Sequence, residues 1–223
     1  MKNLFRIVGV LFLIFSIHSC EEEDANAIKD VDGNVYNTVT IGTQLWMKGN
    51  LRTTRYSNGD LIGTTTPATL DISGETTPKY QWTYDGDENN VAAYGRLYTW
   101  YAVTDNRNIC PTGWHVPTDE EWTTLTTYLG GESIAGGKLK EAGTSHWFSE
   151  NVGATNESGF TALPGGTHKI DTFYNIRDTG FWWSSTEGSA TQAYNRFINY
   201  YGNYIGRYNS TKQNGSAVRC LKD

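Results

Sequence analysis

Three cysteines, four histidines and two short acidic runs are the residues of this chain equipped for chemistry. An enzyme would need a nucleophile, a base or a metal set. His115 with Glu120-Glu121 is the one close grouping of that kind, an acid–base cluster if catalytic. No G-x-S-x-G elbow and no H-E-x-x-H pair accompanies it, and His146 and His168 lie far off among other neighbours. Asp85-Gly86-Asp87-Glu88-Asn89-Asn90 matches the first half of a calcium loop, with oxygens at Asp85, Asp87 and Asn89. The sixth position is Asn90 where glycine is needed, and the twelfth is Arg96 where a bidentate glutamate is needed. It is not an EF-hand; a looser oxygen site stays open, and a solvated turn before a helix fits better. Two thiols, Cys110 and Cys220, lack the C-x-x-C spacing and nearby histidines of a metal or redox site.

A different chemistry is written from Ala193 to Asn209, which is dense in Tyr, Asn and Arg. Tyrosine gives large, rigid, amphipathic contact at low entropy cost, and asparagine gives adaptable hydrogen bonds. Side chains on a strand alternate between faces, so only one parity of residues 194–201 can face outward. With Ile198 as core anchor beside Arg196 and Tyr200, the outward set is Asn195, Phe197, Asn199 and Tyr201. It continues into Asn203, Tyr204, Arg207, Tyr208 and Asn209. These nine residues are the expected ligand-binding surface. No cofactor and no bound metal is expected.

The elements around them follow from pattern. Thr118 and Glu121 form a capping box, Trp122, Leu125 and Leu129 recur at helical spacing, and Gly130-Gly131 stops the helix. That is a core-building helix, entered from the stiff segment Cys110–Pro117. Val35 to Ile41, Gly42-Thr43 and Gln44–Met47 signal a hairpin, and Leu51 to Tyr56 a strand stopped by Asn58-Gly59. Residues 63–79 form a threonine-rich loop. Tyr94, Leu97, Tyr98 and Tyr101 suggest a second, aromatic helix ending near Val103, and Ile134 to Glu141 a helical turn. Pro164-Gly165-Gly166 reads as a sharp turn, Asp171 to Asp178 as a polar excursion, and Phe181 to Thr186 as an apolar strand. Ser216 to Leu221 is the last strand.

The first residues are of another kind. Lys2 and Arg6 precede an apolar run, Ile7 to Ile17, too short to span a bilayer comfortably. It ends at Ile17-His18-Ser19-Cys20, which resembles a bacterial lipobox, with Cys20 as the lipidated residue. Residues 1–19 are then a signal peptide and residues 20–30 a tether. Its acidic block Glu21–Asp24 is similar to the export signal of Bacteroidetes-type surface lipoproteins. Removing residues 1–19 takes Lys2 and Arg6 away, so 16 basic residues face 24 acidic ones and the net charge moves from −6 to −8. Nucleic-acid binders show the opposite, a basic face. The only membrane contact expected is the lipid anchor. In that oxidising setting Cys110 and Cys220 are an even pair, and one disulfide is expected.

The motifs together resemble the Fibrobacter succinogenes major paralogous domain family. They are Asp32-Gly33-Asn34-Val35-Tyr36, Trp46-Met47, Tyr94–Tyr98, Cys110–Pro117, Gly159–Gly166, Trp182–Thr186 and Val218-Arg219-Cys220, covering residues 31–223 in one copy. The resemblance implies an α+β, C-type lectin-like fold: a short mixed antiparallel sheet, two helices, long irregular loops. It also implies an outer-membrane lipoprotein exposed at the surface, without established catalysis. The Trp-Asn-Asp calcium triplet of sugar-binding C-type lectins is absent; Trp183-Ser184-Ser185 stands there instead. Some proteins of this sort carry a C-terminal region diversified at Asn, Tyr and Ser codons. Val116–Trp122 also resembles formylglycine-generating enzymes, but their reactive cysteine pair is missing. The leading expectation is a ligand-binding module for a surface glycan or protein, an enzyme or a purely structural surface protein being the alternatives.

Overall fold

Glycine turns and β-branched runs cut residues 27–223, which the computed structural model describes, into short strands with long irregular connections. β1 (Ile28–Lys29) pairs with β2 (Val35–Tyr36). β3 (Thr38–Ile41) turns at Gly42-Thr43 into β4 (Gln44–Met47), the hairpin expected. β5 (Gln81–Trp82) is followed by 3-10 turns at Tyr84–Gly86 and Glu88–Asn90 and the single-turn α1 (Val91–Tyr94). Next come β6 (Leu97–Thr99), single-turn α2 (Trp100–Val103), β7 (Trp114–His115), α3 (Asp119–Tyr128) and α4 (Glu132–Leu139). The remainder is strand: β8 (Gly165–Lys169), β9 (Thr172–Ile176), β10 (Thr179–Glu187), β11 (Gln192–Asn199), β12 (Gly206–Thr211), β13 (Gly215–Ser216) and β14 (Leu221–Lys222).

The outcome is a mixed α and β fold, mostly sheet with few helices. One sheet runs β12-β11-β10-β8-β13-β6-β5, with β9 attached to β8, and a second runs β3-β4-β14-β7. β10 is buried on both faces over most of its length, as its unbroken apolar run requires. Trp182 packs with Trp46, Trp122, Leu125, Phe160 and Ile198. Trp183 points the other way, into Tyr98, Trp100, Val218 and the half-cystines. α3 forms as its cap dictates: Glu121 N donates to Thr118 Oγ1 at 3.2 Å and Thr118 N to Glu121 Oε2 at 2.7 Å. Its Trp122 and Leu125 are fully buried.

Tertiary pairing overrides several local signals. Tyr94 to Val103 is not one helix, because β5 and β13 recruit Leu97–Thr99 as a strand between two single turns. Pro164-Gly165-Gly166 does not turn back; both glycines open β8, which pairs with β9. The polar excursion therefore contains a strand. Leu51 to Tyr56 stays irregular, held by one bridge from Arg55 to Leu61. The tether reading stops short of Asp30: β1 lies in the fold, and the Asp30 carboxylate accepts from the amides of Asp32 and Asn34 and from Tyr36 Oη. In the acidic loop Asp87 accepts from Asn89 N and Glu88 grips Arg96 at 2.7 Å. Among the described residues no cluster of three or more His, Cys, Asp or Glu could hold a metal ion. The signal peptide, Cys20 and Glu21–Asp24 lie outside the described residues. No described helix is long and apolar enough to cross a membrane.

Cys110 and Cys220 are joined as expected, with Cα atoms 6.0 Å apart across 110 residues. The bond fixes β14 beside β7, where His115 sits between two carboxylates. Its Nδ1 lies 2.7 Å from Asp223 and its Nε2 3.0 Å from Glu121. Partial burial opposes protonation, but hydrogen bonds and charge from Asp223 and Glu121 outweigh it and raise the pKa.

Two predictions follow from these ties. Replacing both half-cystines with serine should lower the unfolding free energy by about 2–5 kcal/mol, as closure of a long loop implies; urea titration measures it, and an unchanged midpoint would show the bond to be idle. A histidine with raised folded pKa adds stability that is complete below its unfolded pKa of about 6.5 and is lost as pH rises through the folded value. His115→Gln should thus cost most below pH ~6 and progressively less above it, read as melting temperature against pH; a pH-independent gap would refute the clamp.

A candidate ligand-binding groove

The groove begins with strand register. β10 and β11 pair so that Thr179 meets Asn199, Phe181 meets Phe197 and Trp183 meets Asn195. β12 adds Tyr208 opposite Asn195 and Gly206 opposite Phe197. These residues share one face. At the Trp183 end that face is sealed by core, and Asn195 is buried there, donating to Ser216 Oγ at 2.9 Å. Towards Thr179 it opens into a groove of about 480 Å³ lined by Thr179, Phe181, Phe197, Asn199, Tyr201 and Tyr208, with Lys169 of β8, Asn175 of β9 and Asp178 forming its other wall. That volume falls within the roughly 300–1,000 Å³ typical of small-molecule sites.

Phe197 is its hub. The ring lies 6.2 Å from Phe181, 5.7 Å from Tyr208 and 5.9 Å from Tyr204, the last two edge to face. Gly206 makes room for it, since a Cβ there would stand 2.1 Å from the Phe197 ring. Asn199 Nδ2 donates to Tyr204 Oη at 2.7 Å. The neighbouring Tyr204 hydroxyl is the chief cause that raises the Tyr201 pKa. Burial raises that of Tyr208. Both phenols therefore stay protonated at neutral pH and can donate as well as accept. On the wall, Thr179 Oγ1 donates to Asp178, and the Lys169 ammonium sits 5.5 Å from the Tyr174 ring.

The turn from β11 to β12 is held through its main chain. Tyr200 N donates to Asp178 O at 2.9 Å, Val152 N to Tyr200 O at 2.7 Å and Gly137 N to Asn203 O at 2.8 Å. Ile205 N donates to Glu132 O at 2.9 Å. The fully buried Lys140 ammonium reaches three carbonyls, Val152 at 2.8 Å, Gly202 at 2.9 Å and Asn199 at 3.2 Å. Burial lowers its pKa to about 8, which still leaves it mostly charged at pH 7. Gly136 admits the turn, for a Cβ there would lie 2.2 Å from Tyr204 O.

Of the nine expected residues, Phe197, Asn199, Tyr201 and Tyr208 line the groove and Tyr204 buttresses it. Asn203 sits at the exposed tip, against Gly153. Exposure is corrected for Asn195 and Asn199, both buried although Ile198 is the core anchor expected. The reason is that this face is covered too: the core around Trp183 and Ser216 closes over Asn195, and Tyr204 lies against Asn199, so outward parity does not mean solvent. Arg207 and Asn209 occupy the opposite face: Arg207 pairs with Asp119 at 2.8 Å and lies 3.8 Å over Tyr194. The sequence reading missed Lys169, Asn175, Asp178, Thr179 and Phe181; the alternation Thr179, Phe181, Trp183 was the available signal. The three described histidines, His115, His146 and His168, remain apart from the groove. His146 meets Glu141 at 2.9 Å, and His168, stacked 4.2 Å from Trp82, has its pKa pushed down to about 4 by burial.

A model of the Fibrobacter succinogenes major domain matches residues 39–222, from within β3 to the end of β14. No curated protein and no solved structure matches the chain. The matched span takes in the disulfide, both tryptophan cores and every residue of the groove, and the chain belongs to the Fibrobacter succinogenes major domain family.

Proposed function

We propose that this chain is a non-catalytic ligand-binding module, a C-type lectin-like domain tethered by lipid at Cys20 to the outer face of an outer membrane. Its ligand is a surface glycan or protein, taken up in the aromatic groove. The observation that carries the reading is convergence. Four residues singled out for their contact chemistry, Phe197, Asn199, Tyr201 and Tyr208, come together around one open concavity with Phe181. Aromatic rings beside a few polar groups are the usual make-up of a binding site. A net charge of −6 disfavours nucleic acid.

Tyr201 is 59% exposed, so Tyr201→Ala should leave the melting temperature almost unchanged. It should weaken capture on glycan and protein arrays by about tenfold or more, the effect of a hot-spot residue. Tyr208→Ala should weaken capture and destabilise the fold together, because Tyr208 is half-buried. Capture undiminished in Tyr201→Ala would place the site elsewhere. For the anchor, Cys20→Ser should move the protein out of the membrane fraction; retention there would overturn lipidation.

A further inference from the structure

We infer that the groove is the inner half of a longer track for a linear, uncharged polysaccharide, an inference that rests on the groove being the ligand site. The aromatic surface does not end at Tyr201. Tyr200 stands 5.3 Å from it and Phe148 a further 5.8 Å from Tyr200, both edge to face. On the inner side Tyr201 lines the same groove as Phe197 and Tyr208. The strip from Tyr208 to Phe148 is therefore unbroken, with Phe148 still 44% exposed. Its outer lip is fixed in place: Phe148 N donates to Arg177 O at 2.8 Å, and the Arg177 guanidinium lies 5.6 Å from the Phe148 ring.

Such a strip suits a sugar chain. A pyranose has an apolar C–H face that gains dispersion contact on an aromatic ring, and a rim of hydroxyls that both donate and accept. Asn175, Thr179 and Asp178 offer donors and acceptors along the wall. A peptide would instead need separate pockets for its anchor side chains. One ring of sugar cannot cover successive rings 5.3 and 5.8 Å apart and the groove beyond them, so a ligand that uses the whole strip is a chain. Charge selects among chains. The cations Lys169 and Arg177 each face an aromatic ring, Asp178 brings a carboxylate to the groove, and the chain as a whole carries −6. An acidic polymer meets a repelling surface outside the groove, and a neutral one does not.

The test uses the full mature chain. Calorimetric titration with neutral β-linked gluco-oligosaccharides, from disaccharide to octasaccharide, should show affinity rising with length. Phe148→Ala should weaken the octasaccharide about tenfold, as loss of one contact ring would. It should leave the disaccharide and the melting temperature unchanged, whereas Tyr201→Ala should weaken both sugars. Affinity electrophoresis should retard the protein in arabinoxylan or mixed-linkage glucan and not in polygalacturonate. Length-independent affinity, or an inert Phe148→Ala, would overturn the track and leave the groove standing. Retardation by polygalacturonate alone would overturn the uncharged ligand. Capture of a protein from the arrays with no saccharide bound would overturn the polysaccharide. Failure of Tyr201→Ala to alter any capture would remove the groove reading itself.

Discussion

Two indoles on consecutive residues of one strand govern this molecule. Because side chains alternate along a strand, Trp182 and Trp183 cannot share a core, and the chain must build a layer over each face of β10. α3, α4 and β4 cover one; β6, α2 and the half-cystines cover the other. Indole N–H groups need partners inside, and each partner ties a further element to β10. Trp182 donates to Asn50 Oδ1 at 2.8 Å and Trp183 to Tyr98 O at 2.7 Å. In return Trp100 donates to Ser184 O at 3.0 Å. The groove follows from the same constraint. β10 outruns the layer that seals its Trp183 face, and Phe181, in line with Trp183, is left to a roof of neighbouring rings.

Long irregular stretches between the strands have no ladder of hydrogen bonds, and buried cations stand in for one. Arg219, almost wholly buried, donates to Phe160 O, to Thr161 O at 3.2 Å and to Asn50 Oδ1 at 3.1 Å, with its guanidinium 4.0 Å over the Phe160 ring. Lys140 does the same for the strand turn behind the groove. Arg196 is pinned by Asp119 at 2.8 Å. Burying a cation costs several kcal/mol, and close hydrogen-bonded acceptors offset it. Lys140 and Arg219 therefore each hold an irregular stretch in one arrangement, and Arg196 holds the start of α3 against β11.

What could be read in advance was what local chemistry decides. The capping box at Thr118 and Glu121, the hairpin around Gly42-Thr43, the strand through Trp182-Trp183 and the Cys110–Cys220 bond needed no knowledge of distant partners. Ile198 was readable as the anchor beside Arg196 and Tyr200, and parity then set which residues share its face. The failures share a cause. Leu97–Thr99 has helical spacing but is claimed by strands from residues 81 and 215, and Gly165-Gly166 looks like a turn until β9 pairs beside it. Half of the groove was invisible for that reason. Asn175, Asp178 and Thr179 sit in a polar run that composition describes as loop, and only its pairing turns it into a wall. Lys140 and Arg219 gave no signal, since nothing in sequence marks a charge for burial.

The segment from Gly215 to Lys222 touches almost every layer. Gly215 and Ser216 pair with β8 and β6, Leu221 with β4 and β7, and Val218 and Cys220 carbonyls accept from Leu51 and Met47 amides. These partners lie roughly 50 to 175 residues earlier, and contacts of such separation form slowly because the intervening chain must first be looped. A ribosome delivers this segment after all of them. Neither of the two large sheets can be completed without it, so a chain cut short of Gly215 leaves both tryptophan cores open.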